Sequence, residues 1–315
     1  VAVREASLDR RIRKEITDDF ASLEGQQLLL SLQDKLYHLD RRVSSSLDMN
    51  DVWDKLLKQG SKPLAGGCDY PWQRIQFLTR GMRPGWLCVV AGGTSMGKTC
   101  FALQVAEHNL KDDKRIVIVS QEMGAEEIGL RLAQKRGLIA DHYYEGRLSE
   151  HDRQVFAELK ADGFWKNLRI ETVEKAVQIG GILRRWKPDL LILDHLQLLA
   201  GSEKVEELSR TTRQLKIMAE KFQVPILCVS QLSRGASEER GRVPTLSRLR
   251  GSGTIEQDAD TVIFAWRKKD DNEVLTAESA LVVAKSRMGK LGAVRTAFDG
   301  EQQAFRVIEQ REGGY

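Results

Sequence analysis

One eight-residue stretch constrains this chain more than any other: Gly92-Gly93-Thr94-Ser95-Met96-Gly97-Lys98-Thr99, a glycine, four residues, then Gly-Lys-Thr. Before it, Trp86-Leu87-Cys88-Val89-Val90-Ala91 reads as a short buried strand, and after it Phe101, Ala102, Val105 and Ala106 give a helical apolar face. A glycine-rich turn between strand and helix lets backbone N–H groups curl around a polyphosphate. The new helix points the positive end of its dipole at the same anion. In this pattern Lys98 reaches the terminal phosphates and Thr99 a magnesium ion. The motif therefore predicts an α/β domain that binds a nucleoside triphosphate.

At 315 residues the chain has room for one large domain and a smaller attachment. Its 41% apolar and 30% charged content fits an ordinary soluble globular protein. The net charge of +4 is too small to argue for a polyanionic partner, so such a claim rests on where the charges lie. Cys68, Cys88, Cys100 and Cys228 are widely spaced and read as small buried hydrophobes, not a disulfide framework or a zinc site. His38, His108, His142, His151 and His195 show no metal-ligand spacing. No apolar run approaches the roughly 18 residues of a membrane span, and no signal peptide opens the chain. A cytoplasmic protein without a membrane partner is expected. The chain opens on Val1, which predicts residues ahead of it in the natural protein.

Composition changes near residue 62, so residues 1–62 are read as a helical N-terminal segment and linker helix, and 63–315 as the nucleotide-binding domain. Residues 1–62 hold no proline and only Gly25 and Gly60. Leu8, Ile12, Ile16, Phe20 and Leu23 recur at helical spacing, as do Leu28, Leu32, Leu36, Leu39 and Val43. A third, short helix is expected, with Asn50 as N-cap, Val52, Trp53, Leu56 and Leu57 on one side, and Gly60 as its stop. Too short to stand alone, it must dock on its own domain or on a neighbouring subunit.

Past residue 80, Ile116–Ser120, Leu190–Leu193, Ile226–Ser230, Thr261–Trp266 and Leu281–Ala284 read as buried strands, with helices between the earlier ones. That alternation predicts a mostly parallel sheet covered on both faces. Ligands of such sheets gather at the carboxyl ends of the strands. There Asp194 can hold a magnesium-bound water beside Thr99. Glu122 can orient and deprotonate an attacking water. Gln231 can report a γ-phosphate through its amide. Taken alone, Glu122 and Gln231 read equally well as turn residues.

Taken together these residues resemble the RecA-like ATPase core, and more closely the DnaB-type replicative helicases and the helicase halves of phage primase-helicases. The resemblance covers about residues 50–310. It rests on Gly81-Met82-Arg83-Pro84-Gly85 leading into the phosphate loop, Ser120-Gln121-Glu122-Met123, and Ile192-Leu193-Asp194-His195-Leu196-Gln197. It continues through Ser230-Gln231-Leu232-Ser233-Arg234, Leu249-Arg250-Gly251-Ser252-Gly253, Ile255-Glu256-Gln257-Asp258-Ala259-Asp260 and Lys285-Ser286-Arg287-Met288-Gly289. The resemblance implies that Glu122 is the catalytic glutamate, Asp194 the magnesium-site aspartate and Gln231 the γ-phosphate sensor. It also implies that Lys285 and Arg287 enter a neighbour's active site, where a transferring phosphoryl group would meet their charge. Arg267 and Phe298 match positions that sandwich the nucleotide base, although Phe298 also reads as core.

Five arginines against two glutamates between Arg234 and Arg250 leave a local excess of three positive charges. By resemblance, Arg250 with Gly251, Ser252 and Gly253 grips a single strand of DNA by its phosphates. Many cellular members carry an acid where Gly251 stands. Gly251 and His195 are closer to the phage-type pattern. The family reading implies ATP and Mg²⁺, and a homo-hexamer around single-stranded DNA that moves 5′ to 3′ and unwinds duplex. It further implies a primase and a helicase loader as partners, in the bacterial cytosol or, for a phage protein, the host's. A recombinase-type filament would carry a strand-exchange module or zinc ribbon. A scaffold using ATP only to assemble would not need Lys98, Glu122, Asp194 and Arg287 together.

Overall fold

A computed structural model describes residues 48–60, 67–200, 205–232, 243–249 and 252–308. The two amphipathic stretches between Leu8 and Val43 lie outside the described residues, as do Arg250 and Gly251. The chain divides into two units, Val1–Ala65 and Gly66–Tyr315. The first contains the helix Met49–Gly60. Its start differs from the expected one. Asp48 Oδ1 accepts the Asn50 N–H at 2.8 Å, so Asp48 caps the helix and Asn50 belongs to its first turn. Gly60 is the last helical residue, not the one after it.

The second unit is built on a nine-stranded sheet. In chain order its strands are β1 (Leu87–Gly92), β2 (Ile116–Ser120), β3 (Leu168–Glu171), β4 (Leu190–Asp194), β5 (Ile226–Gln231), β6 (Thr261–Lys269), β7 (Leu275–Ser286), β8 (Gly292–Asp299) and β9 (Ala304–Val307). Across the sheet the order is β3-β2-β4-β5-β1-β6-β7-β8-β9. From β3 to β6 every pairing is parallel, and from β6 to β9 every pairing is antiparallel. The mostly parallel expectation holds, with an antiparallel wing added. The structure makes β7 much longer than the expected Leu281–Ala284, and adds β3, β8 and β9.

Alternation explains why the parallel strands read as unbroken apolar runs. Cys88 and Val90 of β1 enter one core, with Phe101 and Val105 of the helix Lys98–Lys111 and Leu78 of the helix Gln73–Thr79. Leu87, Val89 and Ala91 enter the other, with Ile182 of the helix Ile179–Trp186 and Leu215 of the helix Val205–Phe222. Side chains two apart share a face, so a strand buried on both faces needs apolar residues at every position. All four cysteines are free and buried, as expected. Burial pushes the Cys68 and Cys88 thiols up to about 12. Among the described residues no helix is long and apolar enough to cross a membrane.

Candidate active site

The phosphate loop leaves β1 at Gly92 and closes at Gly97, whose φ of +86° is a left-handed value that glycine adopts without strain. A Cβ there would also lie 2.8 Å from both Phe298 Cε2 and Phe305 Cζ, so the loop rests directly on the antiparallel wing. The helix that follows begins at Lys98. Lys98 Nζ donates to the Gly93 carbonyl at 2.7 Å, across the concavity of the loop. Burial pushes the Lys98 ammonium below its usual range, opposed by the carboxylates of Asp194 and Glu122. A partly desolvated ammonium on a glycine-rich turn at the start of a helix is a strong receptor for phosphate charge.

The neighbouring strand ends complete the cavity. Thr99 Oγ1 donates to Asp194 Oδ2 at 2.8 Å. Burial lifts the Asp194 carboxyl above its usual range, and the Thr99 hydroxyl works against that rise. Glu122, beyond β2, is 65% exposed, with its Oε2 3.4 Å from His195 Nδ1. Gln231 Nε2, at the end of β5, donates to Thr94 Oγ1 at 2.9 Å. Lys98, Thr99, Glu122, Asp194, His195 and Gln231 line one cavity of about 460 Å³. A hydroxyl and a carboxylate in contact are the hard oxygen donors that suit magnesium, so Thr99 and Asp194 fit that ion. Among the described residues no group of three or more His, Cys, Asp or Glu could hold a metal, so a metal here would draw its other ligands from phosphate and water.

Gln197 stands in the motif after β4 with no role legible from the sequence alone. It is buried and stitches β5 to the helix after β4: its Nε2 donates to Ser230 Oγ and to the Gln231 carbonyl, each at 3.0 Å. Its Oε1 accepts the Gln231 N–H at 3.2 Å. The signal was its place three residues past Asp194, on the first turn after the strand end. Arg131 and Gln303 also line the cavity and were missed; they come from elements distant in sequence from the loop.

Arg267 and Phe298 meet, but not as a sandwich. The Arg267 guanidinium carbon lies 4.1 Å from the Phe298 ring centroid, which leaves no room for a base between them. Phe298 is buried and stands edge-on to Phe305 at 5.0 Å. Arg267 is fixed by its Nη1 donating to the Ser95 carbonyl at 3.2 Å and its Nη2 to the Thr276 carbonyl at 3.1 Å. Phe298 therefore covers one face of the Arg267 guanidinium.

Lys285 and Arg287 lie elsewhere. They flank Ser286, the last residue of β7, which pairs with Thr261 as Thr261 pairs with Cys88, near the first residues of β1. The phosphate loop leaves the other end of β1, four residues on. At ~3.3 Å per residue that is about 13 Å along the sheet. Neither side chain lines the phosphate cavity. Lys285 Nζ donates to the Glu256 carbonyl, while Arg287 Nη2 donates to the Gln257 carbonyl at 2.8 Å. Burial and the adjacent Arg287 push the Lys285 ammonium below its usual range. Of the four residues expected to grip DNA, Arg250 and Gly251 lie outside the described residues. Ser252 and Gly253 open the helix Ser252–Asp258, not an open loop.

A parallel sheet with a phosphate loop at its centre and acidic, amide and hydroxyl groups at the neighbouring strand ends defines a RecA-like nucleotide-binding domain. The chain belongs to the DnaB-like helicase C-terminal domain family, whose model matches residues 67–307. It is 31% identical over 306 residues to the probable replicative DNA helicase of Trieres chinensis, covering 89% of this chain and 67% of that protein. With the replicative DNA helicase DnaC of Bacillus subtilis it shares 33% over 261 residues, 75% of this chain and 56% of that one. The chain thus spans between about half and two thirds of the length of the curated relatives it matches. A solved ATPase domain superposes with a TM-score of 0.73 at 27% identity, covering 84% of this chain and all of that one. A solved DnaB-like replicative helicase, described with its interactions with primase, gives 0.70 at 25% identity, covering 98% and 77%.

Proposed function

We propose that this chain is the motor of a ring-forming, ATP-driven replicative DNA helicase that moves 5′ to 3′ on one strand and unwinds duplex ahead of it. The observation that carries this reading is the convergence of Lys98, Thr99, Glu122, Asp194 and Gln231 on one cavity at the strand ends, in a chain of the DnaB-like family. Gly92 through Thr99 cradle the phosphates, with Lys98 answering the charge on the β- and γ-groups. Thr99 and Asp194 would hold magnesium, which would supply positive charge to the phosphates. Glu122 takes the proton of the attacking water. Gln231, fixed by Gln197, reads the γ-phosphate. The outer face of Arg267, backed by Phe298, stacks on the base.

Lys285 and Arg287 serve the site of the next copy in a homo-hexamer. Their position at the opposite end of β1 from their own phosphate loop supports this. Arg250, Gly251, Ser252 and Gly253 hold single-stranded DNA by its phosphates. Residues 1–62 form the helical attachment and 63–315 the motor, acting in the cytosol of a bacterium, or of a phage's host, with a primase and a loader. The test is ATP hydrolysis with and without single-stranded DNA, together with unwinding of a forked duplex bearing a 5′ tail. Stimulated hydrolysis and unwinding are expected. Nucleotide-dependent assembly with no hydrolysis under either condition would replace the motor by a scaffold. Arg250→Ala should weaken single-strand binding about equally across sequences and lower its salt dependence by about one phosphate contact. A loss confined to one base composition would reassign Arg250 to base reading.

A further inference from the structure

Asp260 stands between β1, β7 and the helix Val205–Phe222, and it is almost fully buried. Its Oδ1 accepts from Arg287 Nη1 at 2.9 Å. Its Oδ2 accepts from Lys216 Nζ at 2.7 Å and from the Leu87 N–H at 2.8 Å. The backbone closes the same knot: Asp260 N–H donates to the Leu87 carbonyl at 2.8 Å, and the Arg287 N–H to the Asp260 carbonyl at 2.9 Å. Lys216, itself buried, also donates to the Gly85 carbonyl at 3.0 Å and pairs with Glu220 at 3.3 Å. Two cations thus share one carboxylate. Lys216 is committed on the buried side, whereas the Arg287 side chain remains 48% exposed.

We infer that Asp260 is the positioning residue for Arg287, fixing the guanidinium to the first residue of β1 so that its free donors face outward. An arginine carries five N–H donors in a rigid fork. Asp260 and the Gln257 carbonyl engage one terminal nitrogen each, which sets the plane and leaves further donors for phosphate oxygens. A long side chain held on two sides loses less rotamer freedom when it meets its target. The turn that follows Arg287 is fixed as well: Gly289 lies against the Leu78 carbonyl so closely that a Cβ would overlap it, and Lys290 N–H donates to that carbonyl at 2.7 Å. Because β1 carries the phosphate loop at its far end, the same strand links a subunit's own nucleotide to the finger it offers. This inference rests on the reading of Arg287 as a finger for the neighbouring site.

The test is a double-mutant cycle in the full chain, reading turnover, nucleotide affinity and melting temperature for Asp260→Asn, Arg287→Ala and the pair. Asp260→Asn should lower turnover roughly 10- to 100-fold while nucleotide affinity stays within about twofold, since only a transition-state contact is lost. Added to Arg287→Ala, it should lower turnover no further. Losses that multiply, or turnover within twofold of the parent for Asp260→Asn alone, would overturn the positioning role. Normal turnover in Arg287→Ala would instead remove the finger reading itself, and the inference with it. Should Asp260→Asn fail to fold because Lys216 is left buried without its partner, Asp260→Asn with Lys216→Met removes both charges and enters the cycle in its place. A merely structural role predicts parallel losses of melting temperature and turnover in both backgrounds.

Discussion

At one end of the sheet, side chains from the phosphate loop and helix that follow β1, from β4 and β5, and from the loop after β2 meet in a single cavity within a single chain. At the other end, where β7 stops, Lys285 and Arg287 are tied down as firmly, but to Asp260 and to the carbonyls of Glu256 and Gln257. The first end is rich in receptors for phosphate and holds a single lysine buried among them. The second presents two cations, Lys285 bonded to a backbone carbonyl and Arg287 paired with a buried aspartate already shared with Lys216. If the second end serves the site of a neighbouring copy, as proposed, two such half-sites on opposite ends of one strand make a unit that two copies, arranged head to tail, would complete. A heterologous contact of that kind closes into a ring when the rotation permits.

Breaking the first end should produce the largest effect. Lys98→Ala removes the ammonium that reaches across the loop, and turnover should fall at least about 10⁴-fold, ~5.4 kcal/mol on the transition-state scale. Steady-state phosphate release checks this, and residual turnover above a tenth of normal would move the active site elsewhere. Breaking the second end should cost somewhat less. Arg287→Ala should lower turnover about 10³-fold with nucleotide binding retained, as for fingers supplied in trans. Rings mixed from Lys98→Ala and Arg287→Ala subunits should regain part of the lost hydrolysis at interfaces that pair an intact loop with an intact finger. Mixed rings with no recovery would count against that pairing.

Smaller effects sharpen the first end. Gln197→Leu leaves the Ser230 hydroxyl and the Gln231 amide without their partner, and should lower turnover roughly tenfold, with KM nearly unchanged, through a loosened Gln231. A changed KM at constant kcat would show that Gln197 shapes binding instead. Arg267→Ala should raise KM for nucleotide about 3- to 10-fold and leave kcat within twofold, the scale of one stacking cation. Phe298→Leu should produce the same shift only if the ring acts by supporting Arg267. A larger loss in Phe298→Leu than in Arg267→Ala would put the ring itself against the base.

The contrast between the two ends also describes what the sequence makes legible. The strand ends of β1, β2, β4 and β5 were readable because strands buried on both faces are unbroken apolar runs, and chemistry follows where they stop. β3 was missed because Leu168-Arg169-Ile170-Glu171 is an edge strand that alternates, and β8 because Val294, Thr296 and Phe298 face inward one residue in two, between exposed or half-buried neighbours. Stacking residue types at Arg267 and Phe298 could be recognised, but residue type carries no spacing, and the two stack on each other. Asp260 carries no role legible in the sequence because its partners, Lys216 and Leu87, lie 44 and 173 residues away. Buried polar partners that meet only through the fold leave no local pattern to read.

The central claim is that no chain holds a complete site by itself, and it is tested most directly by turnover per chain across a dilution series, with the assembly state measured at each concentration. The account predicts that hydrolysis per chain falls about 10³-fold as assemblies give way to monomers, the scale set by losing a finger supplied in trans, while nucleotide remains bound. Constant turnover per chain in demonstrably monomeric protein would contradict it.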